Sequence, residues 1–202
     1  LSRGLGDVYK RQFYDWSELA ATFGYFQRIA DLEAATHLRP LIRRPTGGGL
    51  VPHANDWTYS LAVPPGHPWY ELRAEASYAQ MHRWLSAAFG LLDLPTELAS
   101  CCRRELPGQC FAGYEKFDLL HCGRKLAGAA QRRNKFGLLI QGSIQPPPAT
   151  VSRTQFMDAL LTVGCEQFSA PARELSPSAD LIQQSGQLAE ERYRRDEYNR
   201  RR

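Results

Sequence analysis

The segment from Glu71 to Leu92 constrains this chain more than any other: Ala74, Tyr78, Met81, Leu85, Ala88 and Leu92 recur at the spacing of one helical face. A one-sided helix of this length needs an apolar surface to cover. The segments around it supply strands. Phe23–Gln27 (FGYFQ), Leu41–Arg44, and Trp57–Val63 (WTYSLAV) read as strands before the helix. Phe117–His121, Lys125–Gln131 and Gly137–Ile144 read as three strands after it. Pro146-Pro147-Pro148 ends the last, since proline cannot continue a ladder. Asp31 is placed to cap a short helix running to His37. Thr154–Val163 reads as a second amphipathic helix, and Ser178 caps a third that runs to Asn199. Pro171–Ser178 is a connector. The expectation is an α/β fold with a mixed sheet, in one domain.

Size and composition agree. The chain has 202 residues, 43% of them apolar, enough for one core. No apolar run reaches the roughly 18–20 residues of a membrane helix, and no signal peptide is visible, so a cytoplasmic, membrane-free protein is expected. Five cysteines without a Cys-x-x-Cys pair support neither a disulfide framework nor a zinc ribbon; no metal site is expected. The formal charge is +4, and the C-terminal arginines, mixed with Glu and Asp, read as a solvated helical tail rather than a nucleic-acid patch.

The first twelve residues stand apart. Asp7–Gln12 (DVYKRQ) resembles the in-frame translation of a transposon end used to build sequencing libraries, and the chain starts without Met. Leu1–Gln12 is therefore read as a non-native leader outside the fold, and residues 13–202 as the catalytic domain, shortened by an N-terminal strand and helix.

Three segments carry chemistry. In Arg43-Arg44-Pro45-Thr46-Gly47-Gly48-Gly49-Leu50-Val51-Pro52-His53, three glycines let the backbone approach a ligand, and the arginines can neutralise an anion. It is neither a P-loop nor a dinucleotide fingerprint. His53 suits a site residue and a satisfied structural histidine equally. In Gly123–Arg133, Lys125 lies beside the small residues Ala127–Ala130, which leave room for a ligand whose developing charge the ammonium can meet. The alternative is an exposed strand lysine. Cys110-Phe111 follows a Pro-Gly-Gln loop; a nucleophilic Cys110 needs a nearby cation to lower its pKa, and Lys125 is the candidate, against the bland reading of a small buried hydrophobe. His121 and Cys122, adjacent on a strand, point to opposite faces and read as structural.

Together RRPTGGGLVPH, DWTYSL, GRKLAGAAQRR, GLLIQGSI and the ending AEERYRRDEYNRRR resemble the biotin/lipoate A/B protein ligase family, from about Phe13 to the C-terminus. The resemblance implies the catalytic fold of that family, related to class II aminoacyl-tRNA synthetases. It implies that Lys125 touches the acyl carbonyl. It also implies that Arg44, Gly47, Gly48, Gly49, Leu50, Val51, Pro52 and His53, with Gly128, Ala130 and Gly142, border the acyl or acyl-adenylate site. Cys110-Phe111 resembles the Cys-Phe of a cysteine-dependent octanoyltransferase branch, at matching distance before Gly123-Arg124-Lys125. The expected activity is transfer of an octanoyl or lipoyl group to a lysine of a lipoyl-carrier domain through a Cys110 thioester. No permanently bound cofactor is implied. The alternative is an ATP- and Mg-dependent lipoate-protein ligase working through lipoyl-adenylate, and a further one a non-catalytic carrier-domain or RNA-binding module. Implied partners are the lipoyl domains of 2-oxoacid dehydrogenases or the glycine cleavage carrier protein, with acyl-carrier protein as donor. Two positions depart from the family pattern: the acidic residue usual after the motif histidine is Ala54, with Asp56 two positions on, and Ala-Gly-Tyr-Glu follows Phe111 where a proline is common.

Overall fold

The computed structural model describes residues 9–104, 111, 113–168 and 171–201. In chain order the elements are β1 (Lys10–Tyr14), β2 (Ala20–Phe23), α1 (Ile29–Glu33), β3 (Leu41–Arg43), β4 (Val51–His53), β5 (Trp57–Val63), α2 (Pro68–Glu71) and α3 (Ala74–Gly90). They continue with β6 (Glu97–Leu98), β7 (Arg103–Arg104), β8 (Gly113–Tyr114), β9 (Leu119–His121), β10 (Arg124–Asn134), β11 (Gly137–Ile144), α4 (Arg153–Phe168), α5 (Ala179–Leu188) and α6 (Asp196–Arg200). A π-helical turn, Ala189–Tyr193, continues α5.

Among the described residues, six strands form an antiparallel sheet in the order β1-β5-β11-β10-β9-β6. A smaller mixed sheet runs β3-β2-β4, with β2 parallel to β3 and antiparallel to β4. Strand alternation gives the large sheet two faces. Tyr59, Leu61 and Val63 of β5 and Leu138, Ile140 and Ile144 of β11 join Met81, Trp84, Leu85 and Phe89 of α3 and Phe156 and Leu160 of α4 in the main core. The residues between them, Thr58, Leu139, Gln141 and Ser143, face the small sheet across a pocket. Beyond the small sheet lies a second, smaller core of Phe23, Ile29, Leu32, Leu41 and Leu50.

The strands Trp57–Val63 and Gly137–Ile144 match their expected bounds, and the central helix is Ala74–Gly90. Several expectations are corrected. The apolar run from Phe23 to Gln27 ends a strand rather than forming one: β2 stops at Phe23, and Gly24 turns the chain, where a Cβ would fall 1.8 Å from the Gly48 carbonyl oxygen. The first helix starts at Ile29 with Arg28 before it, so Asp31 lies in its first turn instead of capping it. Of the segment set aside as a leader, the described residues 9–12 take part in the fold: Lys10, Arg11 and Gln12 pair with Ala62, Leu61 and Ser60, and the Tyr9 ring packs on Trp84 and Phe168. Ser178 does cap the C-terminal helix, accepting from the Leu181 N–H at 3.2 Å. That helix breaks before Asp196, and it is not all solvated. No residue of α5 is buried, but Tyr198 and Asn199 of α6 are.

Arg43 causes the difference. Its fully buried guanidinium donates to the carbonyl oxygens of Tyr25, Gln27, Tyr198, Asn199 and Arg201, and its backbone N–H to Asn199 Oδ1. The planar five-donor fork of arginine suits such a set of carbonyls. No helix among the described residues is long and apolar enough to cross a membrane.

Candidate active site

Between the two sheets lies a pocket of about 350 Å³, within the usual range for small-molecule sites. Its wall includes Trp16, Thr22, Ile42, Val51 and His53 on one side and Thr58, Lys125, Gly128, Leu139 and Gln141 on the other.

Lys125 reaches this pocket because β10 carries a bulge. Lys125 lies opposite Leu120 on β9 and Ala127 opposite Leu119, so Leu126 is an extra residue. Leu126 and Ala127 both turn to the core, and Lys125 and Gly128 on either side of them both face the pocket. The Lys125 ammonium, with its side chain 8% exposed, pairs with Asp118 Oδ2 at 2.7 Å. A Cβ on Gly128 would lie 2.5 Å from Lys125 Cε, 2.7 Å from its Nζ and 3.1 Å from Asp118 Oδ1. Gly128 thus leaves the space through which the lysine runs.

Asp118 is fully buried. It also accepts the Glu115 N–H at 2.7 Å and the Tyr78 hydroxyl. Burial, then the Asp118 carboxylate, hold the Tyr78 phenol well above its ordinary pKa, which keeps it a donor. The Phe111 ring centroid is 4.7 Å from Lys125 Nζ, a cation–π contact. Cys110 lies outside the described residues.

The opposite wall is a closed polar network. His53 bonds Thr22 Oγ1 through Nε2 at 2.8 Å and Asp56 Oδ2 through Nδ1 at 3.0 Å, and Trp16 stacks on its ring at 4.1 Å. Asp56 further accepts from Thr58 and Ser143 at 2.8 and 2.6 Å. Burial raises the Asp56 pKa, but the bonds from His53, Ser143 and Thr58 outweigh it and bring it below the ordinary carboxylate value. With both ring nitrogens engaged, His53 serves as part of the wall. The carboxylate missing at Ala54 is supplied to it by Asp56.

The glycine loop is shaped by Arg44. Its guanidinium donates to the Gly47 and Gly49 carbonyls at 3.0 and 2.7 Å and to Thr22 Oγ1 at 2.8 Å. Gly48 takes φ +85°, a conformation glycine adopts without strain. Thr46 Oγ1 anchors the loop to Gln141 on β11 at 3.0 Å.

The structure thus brings Arg44, Val51, His53, Lys125, Gly128, Ala130 and Gly142 to one pocket. Gly47, Gly48, Gly49, Leu50 and Pro52 are outside its wall. Leu50 belongs to the second core, and Pro52, paired with Ala21, leaves β4 on the side opposite Val51 and His53. Gly142 lines the pocket, yet a Cβ there would meet the buried Tyr59 ring at 2.2 Å, so its bareness also serves packing. Cys122 sits in the β9–β10 turn with φ +50°, off the strand expected for it. Its sulfur is 3.5 Å from His121 Nε2, and His121 Nδ1 bonds the Pro95 carbonyl at 2.8 Å.

Asp118 and Tyr78 were not legible as site residues. Tyr78 reads as one member of the apolar helix stripe, and a lone Asp within the expected strand Phe117–His121 carries no pattern. Chemically, the arrangement offers a fixed ammonium at the wall of a mostly apolar cavity, able to donate to an oxygen on which charge develops.

Comparison with known proteins agrees with this architecture. The family model of the lipoyl protein ligase A/B catalytic domain matches residues 12–173. Octanoyltransferase LipM of Geobacillus kaustophilus is 33% identical over 145 residues, covering 66% of this chain and 52% of that protein. Octanoyltransferase LipM of Staphylococcus aureus is 33% identical over 156 residues, covering 71% and 56%. The chain therefore spans about half the length of these curated relatives. Among solved structures, lipoate-protein ligase A bound with ATP superposes with a TM-score of 0.78 at 20% identity, over 96% of this chain and 87% of that one. The bipartite lipoate protein ligase of Thermoplasma acidophilum, studied with its E2 lipoyl domain, gives 0.71 at 18% identity, over 96% and 85%. At such identity these likenesses show the fold alone. The chain belongs to the lipoyl protein ligase A/B catalytic domain family.

Proposed function

We propose that this protein transfers an octanoyl group from an acyl-carrier thioester to a lysine of a lipoyl-carrier domain, through a thioester on Cys110. The observation that carries the reading is Lys125, held by Asp118 at the wall of the pocket with the Phe111 ring against it. Phe111 directly follows Cys110 in the chain. The name octanoyltransferase, borne by relatives at 33% identity, supports the thioester route over an ATP-dependent one.

In the first step the Cys110 thiolate attacks the donor's acyl carbonyl. The bond from that carbonyl to the carrier sulfur breaks, and the carrier leaves as a thiolate that takes up the proton Cys110 gave. Lys125 donates to the carbonyl oxygen as negative charge builds on it, and its cationic charge favours the thiolate. In the second step the acceptor lysine, having lost a proton to solvent, attacks the Cys110 thioester. The amide forms as its nitrogen gives up a second proton and the bond to sulfur breaks; the proton goes to the departing Cys110 sulfur, which leaves as the thiol. The acyl chain lies along Ile42, Val51 and Leu139. Acceptors are the lipoyl domains of 2-oxoacid dehydrogenases or the glycine cleavage carrier protein.

The test incubates the protein with octanoyl-carrier protein and a lipoyl domain, with and without ATP, read by intact mass. An octanoyl adduct on the protein, absent from Cys110→Ala, with modified lipoyl domain formed without ATP, is the expected result. Lipoate-dependent ATP–pyrophosphate exchange that survives Cys110→Ala would replace the thioester route by the adenylate one.

A further inference from the structure

We infer that Asp118 and Tyr78 form a positioning pair for Lys125, a buried carboxylate and phenol behind the pocket wall that fix where the ammonium meets the acyl carbonyl. The inference rests on the acyl-transfer reading and adds two residues to it. A lysine on a pocket wall has a long flexible stem and much rotamer freedom to lose before its charge has a fixed position. Asp118, fully buried and 2.7 Å from Nζ, supplies the fixed point.

The carboxylate is itself held from two further directions. The Glu115 N–H at 2.7 Å ties it to the segment following Phe111. The Tyr78 hydroxyl ties it to α3. Tyr78 also accepts the Ala129 N–H at 3.2 Å, so one phenol oxygen joins α3, Asp118 and the strand that carries Lys125. Gly128, one residue away, leaves open the space where these groups converge. The Glu115 N–H and the Tyr78 hydroxyl fix where the carboxylate sits, and the carboxylate fixes where Nζ sits at the pocket wall. Neither Tyr78 nor Asp118 lines the pocket, so both act through Lys125.

The experiment measures octanoyl transfer to a lipoyl domain for Tyr78→Phe and Asp118→Asn, each alone and combined with Lys125→Met, alongside melting curves. Tyr78→Phe removes one oxygen from a helix that otherwise keeps its packing. It should lower kcat about 10-fold with KM for the donor unchanged, the pattern of an interaction made in the transition state. Asp118→Asn should lower it about 100-fold, the scale expected for a misplacement of about 1 Å. In the Lys125→Met background both changes should cost less than about 2-fold in the residual rate, because no ammonium is left to place. Losses that multiply with that of Lys125→Met, or an unchanged kcat in Tyr78→Phe, would overturn the inference. So would a fall in melting temperature large enough to account for the lost rate. If the unaltered protein transfers no octanoyl group, the acyl-transfer reading falls and this one with it; if it does, the outcome concerns the pair alone.

Discussion

Gly128→Ala separates the position of Lys125 from the stability of the fold. The added Cβ would stand 2.5 Å from Lys125 Cε and 2.7 Å from Nζ, where carbon contacts normally lie about 3.5–4.0 Å apart. The lysine end must therefore move by about 1 Å. Forced overpacking in a protein interior costs about 1–3 kcal/mol. Two facts put this case at the low end. The obstructed atoms are the far end of a long side chain rather than backbone, and alanine in a strand with no left-handed backbone regains about 0.4–1 kcal/mol by restricting the unfolded chain. The net stability loss should be about 1 kcal/mol, or about 2–4 °C in a domain of this size. The functional loss should be far larger, about 100-fold in octanoyl transfer, because the ammonium no longer sits at its place opposite the acyl carbonyl. Single-turnover transfer and a thermal melt on the same preparation read both quantities. A variant that transfers at the unaltered rate would refute the claim that the reaction needs Lys125 where Asp118 holds it.

Other substitutions test the surroundings. Gly142→Ala, on the neighbouring strand, drives a Cβ to 2.2 Å from a Tyr59 ring that is fully buried; it should cost about 3 kcal/mol, seen in urea melts as a loss larger than that of Gly128→Ala. Arg43→Met strands five backbone carbonyls and should cost at least about 3 kcal/mol, with protease cleavage appearing first near Tyr198. His82 is fully buried and its pKa is pushed down to about 4 by that burial, against the pull of Asp118. The unfolded chain binds this proton at about pH 6.5 and the folded chain does not until about pH 4, so stability falls with pH through that window, by about 3 kcal/mol. His82→Met should lose less stability than the unaltered protein between pH 7.5 and pH 5. The Asp56 pKa lies below the ordinary carboxylate value, so its contribution is full above about pH 4 and disappears as pH falls further. Asp56→Asn should be less stable than the unaltered protein at pH 7, with the gap narrowing below about pH 4 in acid titrations.

The parts of the fold that were legible are those whose burial repeats locally. Trp57–Val63 and Gly137–Ile144 alternate between a core face and a pocket face, and the bounds read from the sequence are those of the strands. Phe23–Gln27 misleads because its apolar residues are continuous across a turn: the chain must bend at Gly24 to pass the glycine loop, a contact between residues 24 apart in sequence number. The C-terminal arginines look solvated by composition, and α5 is indeed exposed. What ties Asn199 to the body of the fold is an arginine 156 residues away, and no local pattern carries that partner. Residues 1–12 were excluded by their apparent origin, but Lys10–Gln12 carry the edge strand on from Phe13 along β5, and Tyr9 finds an aromatic cluster.

At the site, residue type was legible and mutual geometry was not. Lys125 stood out because small residues surround it, yet in a regular strand Lys125 and Gly128 would face opposite sides of the sheet. The bulge at Leu126 puts them on one face, so the glycine that looked like room for a ligand proves first to be room for the lysine itself. The same bulge turns two successive side chains, Leu126 and Ala127, into the core, and that paired burial holds the irregularity in place. Asp118, buried behind this point, then meets among the described residues the Lys125 cation and two neutral donors that share its charge. Remove the bulge and the ammonium swings away from the pocket toward the apolar core beneath α3, where Asp118 alone could not satisfy it. The local register of β10, more than the presence of any one residue type, is therefore what makes this pocket chemically different from the apolar space around it.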